Sequence, residues 1–182
     1  ADLTFMHAQW IKIAGATCLV SRSGYTGEDG YEISVPVAAA EPLARALLEN
    51  PAVKPVGLAA RDTLRLEAGL HLYGQDMTAE STVCTAGLAW AIARARREGA
   101  ANAGGFPGAE TTLREARVGT ARRLVGLVGI EPVPVRSGAQ IVDTDGTLRG
   151  VVTSGTVSPT LGKPIMLASL DTGLADDTAL FA

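Results

Sequence analysis

An acidic loop rich in glycine is the part of this sequence whose residue types and spacing could do chemistry. Glu28, Asp29 and Glu32 lie within five residues, and glycines occupy positions 24, 27 and 30. Glycine permits tight turns and close approach of a ligand to the backbone. A carboxylate there can accept two hydrogen bonds, as a fork, from a ligand that presents two N–H groups side by side. From the residues alone, Glu32 is more simply an acid at a strand edge that points to water.

Two arginines, Arg61 and Arg65, lie one turn apart on a predicted helix over residues 57–68. Like charges at that spacing destabilise a helix by about 0.2–0.5 kcal/mol unless a negative group relieves them. A carboxylate or an anionic ligand is therefore expected nearby. For Arg65 the simpler interpretation is a structural salt bridge. Its candidate partners are Glu28, Asp29, Asp62 and Glu67.

Short strands and two helices are predicted to position these residues. Residues 17–37 have the pattern of a strand pair around the glycine turn. One helix is predicted with Pro42 in its first turn and its end at the Asn50-Pro51 step. The helix over residues 57–68 should end at Gly69 and be covered on more than one side. Four later runs of branched residues predict a small antiparallel barrel or sandwich: 123–130, 140–142, 148–153 and 165–170.

The composition changes near the middle of the chain. Five of the eleven residues 99–109 are Gly or Pro, which favours a linker. We therefore predict an α+β protein with an α/β region over residues 1–98, a linker over 99–121 and a C-terminal antiparallel β-barrel over 122–182.

The overall composition is that of a globular protein. The 182 residues are 47% apolar with a formal net charge of −3, so nothing draws the whole chain to nucleic acid. Apolar stretches fall short of the ~18 residues of a membrane helix, and the first residues do not resemble a signal peptide. Cys18 and Cys84 are expected as small buried hydrophobes, and His7 and His71 as structural residues, so no metal site is predicted.

An arginine-rich segment departs from the overall charge balance. Residues 94–123 contain seven arginines against three glutamates. The segment can be a solvated helix end and linker, or it can be a docking patch for an acidic partner.

Several motifs together make the chain resemble the aminomethyltransferase family, the T-protein of the glycine cleavage system. They are Gly24-Tyr25-Thr26-Gly27-Glu28-Asp29-Gly30-Tyr31-Glu32-Ile33, Gly57-Leu58-Ala59-Ala60-Arg61-Asp62-Thr63-Leu64-Arg65-Leu66-Glu67-Ala68-Gly69, Leu72-Tyr73-Gly74-Gln75-Asp76, Ala86-Gly87-Leu88-Ala89-Trp90, Arg123-Leu124-Val125-Gly126-Leu127 and Val152-Thr153-Ser154-Gly155-Thr156-Val157-Ser158-Pro159-Thr160-Leu161-Gly162-Lys163. Their order and approximate spacing match the family over nearly the whole chain. The resemblance implies that residues 1–98 form the second half of the folate-binding region.

The resemblance also implies a function and a set of partners. The family moves a one-carbon unit from an aminomethylated lipoyl carrier, the H-protein, onto tetrahydrofolate. By this resemblance Glu32 and Arg61 bind the folate, tetrahydrofolate is the co-substrate, and neither nucleic acid nor a membrane is a partner. Tyr25 is a candidate to stack on the pterin or benzoyl ring of that folate, with simple packing in the glycine turn as the alternative. The expected location is cytoplasmic if the protein is bacterial and the mitochondrial matrix if it is eukaryotic.

The chain departs from the family pattern in two respects. Complete members carry an N-terminal half with an aspartate that orients or activates the folate nitrogen, so no catalytic residue is assigned here and these residues alone should show little transfer. The family's Thr-Pro-Val-Glu-Ala stretch reads Thr82-Val83-Cys84-Thr85-Ala86. Two other functions stay open: the folate-binding region of a dimethylglycine- or sarcosine-type demethylase, and a non-catalytic folate-binding remnant.

Overall fold

The computed structural model describes residues 3–175 and 178–182 and has an α+β fold. Its chain divides into two compact units, Ala1–Leu70 and His71–Ala182. Among the described residues, no helix is long and apolar enough to cross a membrane. In chain order the elements are β1 (Ala8–Ile13), β2 (Ala16–Ser21), β3 (Glu32–Ser34), α1 (Val37–Leu48), α2 (Leu58–Glu67), two 3-10 turns (Ala89–Ala91 and Arg94–Arg96), α3 (Ala109–Val118), β4 (Arg122–Val128), β5 (Gln140–Val142), β6 (Leu148–Ser158) and β7 (Lys163–Asp171).

The first unit is built on a three-stranded antiparallel sheet in the order β1-β2-β3. Ala14 and Gly15 join the first two strands, and both have positive φ, at 48° and 81°, as a type I′ turn requires. Burial alternates along β2, so that Cys18 and Val20 face the core. The pairing of β2 with β3 confirms the strand pair predicted within residues 17–37.

Helix α1 begins earlier than the sequence predicts. Pro42 is its sixth residue and does not lie in its first turn. Proline has no N–H, so it removes one hydrogen bond, to the carbonyl of Ala38. Strong helix formers at 38–40 compensate for this loss and extend the helix upstream. Leu43 is the buried residue that fixes α1 against the core of the sheet.

Helix α2 follows the prediction in its bounds and ends in a Schellman motif. The N–H of Gly69 donates to the carbonyl of Leu66 at 3.0 Å, and that of Leu70 donates to the carbonyl of Arg65 at 2.8 Å. Gly69 follows the cap residue Ala68 with a φ of 70°. The predicted cover on more than one side is wrong for this chain, because Arg65 and Leu66 are the buried residues of α2 and the small apolar residues of its other faces are largely exposed.

The second unit contains a four-stranded antiparallel sheet in the order β4-β7-β6-β5. All four strands fall on runs that the sequence predicts. β6 is longer than predicted because a bulge between Val152 and Ser154 lets the strand continue through polar residues to Ser158. One face of the sheet holds the buried apolar cluster of this unit: Ile141, Val152, Met166, Ala168 and Leu170.

The loop that precedes this sheet is attached to the bulge of β6. Thr153 donates its hydroxyl hydrogen bond to Asp76 at 2.5 Å, and Ser154 donates to the side-chain oxygen of Gln75 at 3.2 Å. Asp76 is buried and also accepts the N–H of Leu72 at 2.8 Å. Two motifs that lie about 77 residues apart in the sequence are therefore in contact.

The predicted linker over residues 99–121 contains a helix, α3, of ten residues. Gly108, with a φ of 75°, precedes this helix, and Gly119 follows it. Thr112 is its buried residue. The division at residues 98 and 121 stays a prediction.

Candidate functional site

The glycine loop between β2 and β3 is anchored by an ion pair between Arg22 and Asp29. The guanidinium Nε and Nη2 donate to the two carboxylate oxygens at 2.8 and 2.7 Å, and Nη1 donates to the carbonyl of Leu3 at 3.1 Å. The hydrogen bond from Arg22 lowers the pKa of the Asp29 carboxyl, and the same bond raises the pKa of the guanidinium. Asp29 therefore holds the loop. The sequence had left it open whether Asp29 binds a ligand or pairs with Arg65.

The middle of the loop packs against the end of α2. Gly27 has a φ of 78°, and a Cβ atom placed on it would lie 2.5 Å from the Cβ of Ala68. Real Cβ atoms do not approach so closely. Position 27 therefore requires glycine for two independent reasons, the positive φ and the lack of space for a Cβ atom. The loop and the C-terminal turn of α2 are thereby held side by side, which positions the loop next to the arginines of that helix.

Arg61 and Tyr25 are brought together by this packing. The guanidinium carbon of Arg61 lies 4.1 Å from the centre of the Tyr25 ring. An arginine over an aromatic face gains electrostatic attraction and is fixed in orientation while its edge keeps its N–H donors. The side chain of Arg61 is exposed and that of Tyr25 is half-buried. Both were predicted as ligand-binding residues, but their mutual contact was not.

Arg65 has the structural role that the sequence favoured for it. It is 1% exposed, its Nε donates to Asp62 at 2.8 Å, and its Nη1 donates to the carbonyl of Leu70 at 3.1 Å. Asp62, one of the four candidates, therefore forms both a hydrogen bond and an ion pair with Arg65. The two arginines of α2 divide into a buried one that holds the helix end and an exposed one that can meet a ligand.

Glu32 lies on β3, opposite Ser21 of β2, and it is exposed. The hydroxyl of Ser23 donates to its Oε2 at 2.6 Å, and Ser21 and Ser23 are hydrogen-bonded to each other at 2.8 Å. Among the described residues, no hydrogen bond or ion pair joins Glu32 to Arg61. The two predicted site residues belong to the same unit, and their binding of one folate stays a prediction.

Sequence reasoning missed the two serines of this arrangement. Serines are common on exposed strands, and nothing in their spacing marks them. The antiparallel register of β2 and β3 was the signal that could have found them, because residues opposite each other on neighbouring strands lie on one face.

The segment that departs from the family pattern forms a capped turn. The N–H of Thr82 donates to the hydroxyl of Thr85 at 2.9 Å, and the N–H of Thr85 donates to the hydroxyl of Thr82 at 3.1 Å. This reciprocal pair has the geometry of a capping box, in which a glutamate usually takes the third position. Glu115 of α3 accepts the hydroxyl of Thr82 at 2.5 Å. The turn therefore keeps its hydrogen bonds with threonine in place of glutamate.

Neither cysteine forms a disulfide. Cys18 is fully buried, as predicted, whereas Cys84 is partly exposed, against the prediction, because it lies on the turn beside α3 and not in a sheet. Burial raises the pKa of the Cys84 thiol, and the negative charge of Glu115 raises it further. Within the described ranges, no group of three or more His, Cys, Asp or Glu residues could hold a metal ion.

Comparison with protein families assigns the chain to a class. Residues 1–96 match the family model described as the GCVT N-terminal domain, and residues 122–182 match the glycine cleavage T-protein C-terminal barrel domain. The chain belongs to the glycine cleavage T-protein family.

Individual relatives agree with this assignment. The probable mitochondrial aminomethyltransferase of Schizosaccharomyces pombe is 45% identical over 172 residues, which are 94% of this chain and 43% of that protein. The mitochondrial aminomethyltransferase of Canis lupus familiaris is 48% identical over 166 residues, 91% of this chain and 40% of that protein. The chain thus spans less than half the length of these relatives.

A crystal structure shares the fold. The aminomethyltransferase T of the glycine cleavage system from Bartonella henselae superposes with a TM-score of 0.87 at 40% identity. The superposition covers 99% of this chain and 48% of the other. At this identity both fold and family are shared.

Proposed function

We propose that this chain is the tetrahydrofolate-binding part of an aminomethyltransferase of the glycine cleavage system. In the proposed reaction the C–S bond of the aminomethylated lipoyl arm breaks and leaves a lipoyl thiolate, and one nitrogen of tetrahydrofolate bonds the released iminium-like carbon. A second folate nitrogen then bonds the same carbon and displaces ammonia, which forms a methylene bridge. The chain's part in this chemistry is to bind and orient the folate. The location follows the expectation from the sequence, with the mitochondrial matrix as the location for a eukaryotic source.

The observation that carries the proposal is the guanidinium carbon of Arg61 placed 4.1 Å from the centre of the Tyr25 ring, in the acidic glycine loop. A guanidinium in that position can donate to the pterin carbonyl or to the glutamate tail of the folate. Glu32 follows the same loop and supplies the carboxylate that accepts the pterin amino group and ring N–H as a fork. Membership of the T-protein family supports this reading of the three residues.

The test is the affinity of the purified chain for tetrahydrofolate, measured by isothermal titration calorimetry. Glu32→Gln should weaken binding roughly 10- to 100-fold, because a charge-assisted hydrogen bond contributes about 1.5–3 kcal/mol. Glu28→Gln is the matched control, since Glu28 is exposed and lies in the same loop, and the substitution removes the same charge. It should change the dissociation constant less than twofold. Equal losses for both variants, or no loss for Glu32→Gln, would contradict the proposal.

Arg61 is tested separately. Arg61→Ala should weaken tetrahydrofolate binding with little loss of folding stability, because the side chain is exposed. Arg45→Ala is its control, since Arg45 is an exposed arginine of α1 in the same unit and pairs with Glu41. Unchanged folate affinity in Arg61→Ala would remove this residue from the site.

The arginine-rich segment is proposed to dock an acidic lipoylated carrier protein. Arg96 and Arg97 donate to backbone carbonyls, and Arg117 pairs with Glu98 at 3.2 Å, so these side chains have structural partners. Residues 89–98 and α3 line one cavity of about 330 Å³, which places their arginines on neighbouring elements.

Three exposed arginines of the segment, Arg94, Arg114 and Arg123, have no hydrogen-bond or ion-pair partner among the described residues. Arg94 and Arg114 belong to the two stretches that line the cavity, so these two are the ones to exchange. The double variant Arg94→Gln/Arg114→Gln should slow association with the carrier at low salt and reduce the salt dependence of the rate, with folate affinity unchanged. Arg45→Gln is the control for loss of a surface charge. An unchanged association rate would leave the segment a solvated surface.

A further inference from the structure

The carboxylate of Glu32 is held by a chain of two serine hydroxyls. Ser23 Oγ lies 2.6 Å from Glu32 Oε2 and 2.8 Å from Ser21 Oγ. Ser21 is the direct cross-strand partner of Glu32, so both side chains stand on one face of the sheet. Ser23 lies two residues beyond the end of β2, and its hydroxyl contacts both side chains. The register of β2 and β3 therefore brings Ser21 and Glu32 together, and the segment after β2 adds Ser23.

The direction of the chain follows from the number of hydrogens. A serine hydroxyl has one hydrogen to donate, whereas an ionised carboxylate accepts only. Because Ser23 donates to Glu32 Oε2, it has no hydrogen left for Ser21, and the contact between the serines must run from the hydroxyl of Ser21 to the oxygen of Ser23. Glu32 thus accepts a hydrogen bond at Oε2, whereas Oε1 accepts none from the described residues.

The position of Ser23 is itself fixed by its neighbour. The N–H of Arg22 donates to the carbonyl of His7 at 3.1 Å, and the carbonyl of Arg22 accepts the N–H of Met6 at 2.9 Å. The side chain of Arg22 is clamped by Asp29. Backbone and side chain of the residue before Ser23 both have hydrogen-bond partners, and these contacts restrict where the hydroxyl of Ser23 can lie.

We propose that Ser23, oriented by Ser21, is a positioning residue that holds the Glu32 carboxylate in the geometry for ligand binding. This inference rests on the proposed function of Glu32 in folate binding. A glutamate on a strand edge samples several rotamers, and fixing one of them before the ligand arrives reduces the entropy lost on binding. The hydrogen bond leaves Oε1 and the remaining lone pair of Oε2 to accept the paired N–H donors of the pterin.

The test is a double-mutant cycle on tetrahydrofolate affinity. Ser23→Ala should weaken binding about three- to tenfold, Ser23→Thr should restore most of the affinity because it keeps the hydroxyl, and Ser21→Ala should have a smaller effect, of about twofold. In the Glu32→Gln background, Ser23→Ala should add less than twofold. Denaturant midpoints of all variants report whether folding has changed.

The outcomes separate this inference from the proposed function. If Ser23→Ala weakens binding equally with and without Glu32, Ser23 acts through general structure and the inference is wrong. If Glu32→Gln weakens binding and Ser23→Ala does not, the inference alone fails. If Glu32→Gln leaves the affinity unchanged, the proposed role of Glu32 fails, and the positioning role of Ser23 fails with it.

Discussion

Replacing Gly27 with alanine should destabilise the first unit by roughly 2–5 kcal/mol. The φ of 78° costs an alanine about 1–2 kcal/mol. The new Cβ would lie 2.5 Å from the Cβ of Ala68, and relieving such an overlap in a packed contact costs about 1–3 kcal/mol. The free energy of unfolding, measured by urea denaturation, is the assay. The loop should also be displaced from α2, so tetrahydrofolate affinity should fall in the same variant.

Two glycines of the same loop provide controls, and a second substitution separates the two costs. Gly24 and Gly30 have ordinary φ values and open space at the Cβ position, so alanine there should be neutral or raise stability by about 0.4–1 kcal/mol. Adding Ala68→Gly should recover the steric part of the Gly27→Ala loss, measured against Ala68→Gly alone. Equal stability of Gly27→Ala and the two control variants would refute the packing of the loop on α2. If Ala68→Gly does not restore stability to Gly27→Ala, the overlap of the two Cβ atoms is not part of the cost.

Three further predictions concern stability. Arg65→Ala should lower the free energy of unfolding by roughly 2–5 kcal/mol, since it removes a buried side chain with its hydrogen bonds. Arg61→Ala should change the free energy of unfolding by less than about 0.5 kcal/mol. Equal losses for the two variants in urea denaturation would contradict the different roles of the two arginines. Ala14→Gly should raise the free energy of unfolding by about 0.5–1 kcal/mol, because the alanine has a φ of 48°, and a lower urea midpoint would argue against the turn. The hydrogen bond from Arg149 lowers the pKa of Asp143 below its unfolded value of about 3.9. The stabilisation of the fold by the ionised Asp143 is therefore present above about pH 4 and lost as the pH falls further. The difference in urea midpoint between wild type and Asp143→Asn should shrink below pH 4, and a difference independent of pH would contradict this prediction.

Elements with a clear periodic pattern could be predicted from the sequence. β7 and the bounds of α2 follow their apolar runs and the glycine after the helix. α3 was missed because glycines and a proline flank it, so its ten residues were included in the linker. β1 was missed although Ile11 and Ile13 alternate before a two-residue turn, a pattern that predicts a hairpin strand.

The site was predicted in its residues more than in its contacts. Arg61 was selected by resemblance and Tyr25 by its aromatic ring in the glycine loop, but their contact depends on the packing of Gly27 against Ala68, which joins parts of the chain about 40 residues apart. The hydrogen bond from Ser23 to Glu32 depends on strand register, which one-dimensional patterns specify poorly. Tertiary contacts of this kind have no local sequence signal.

The three carboxylates of the acidic loop show how position decides the use of equivalent groups. Asp29 has both oxygens occupied by Arg22, so it cannot offer a fork to a ligand. Glu28 is exposed, and its side chain has no recorded hydrogen bond within the described part of the chain, so a ligand would have to order it on binding. Glu32 is held at one oxygen and open at the other. It therefore combines a fixed orientation with remaining acceptor capacity, which is the combination that binding a paired N–H donor requires.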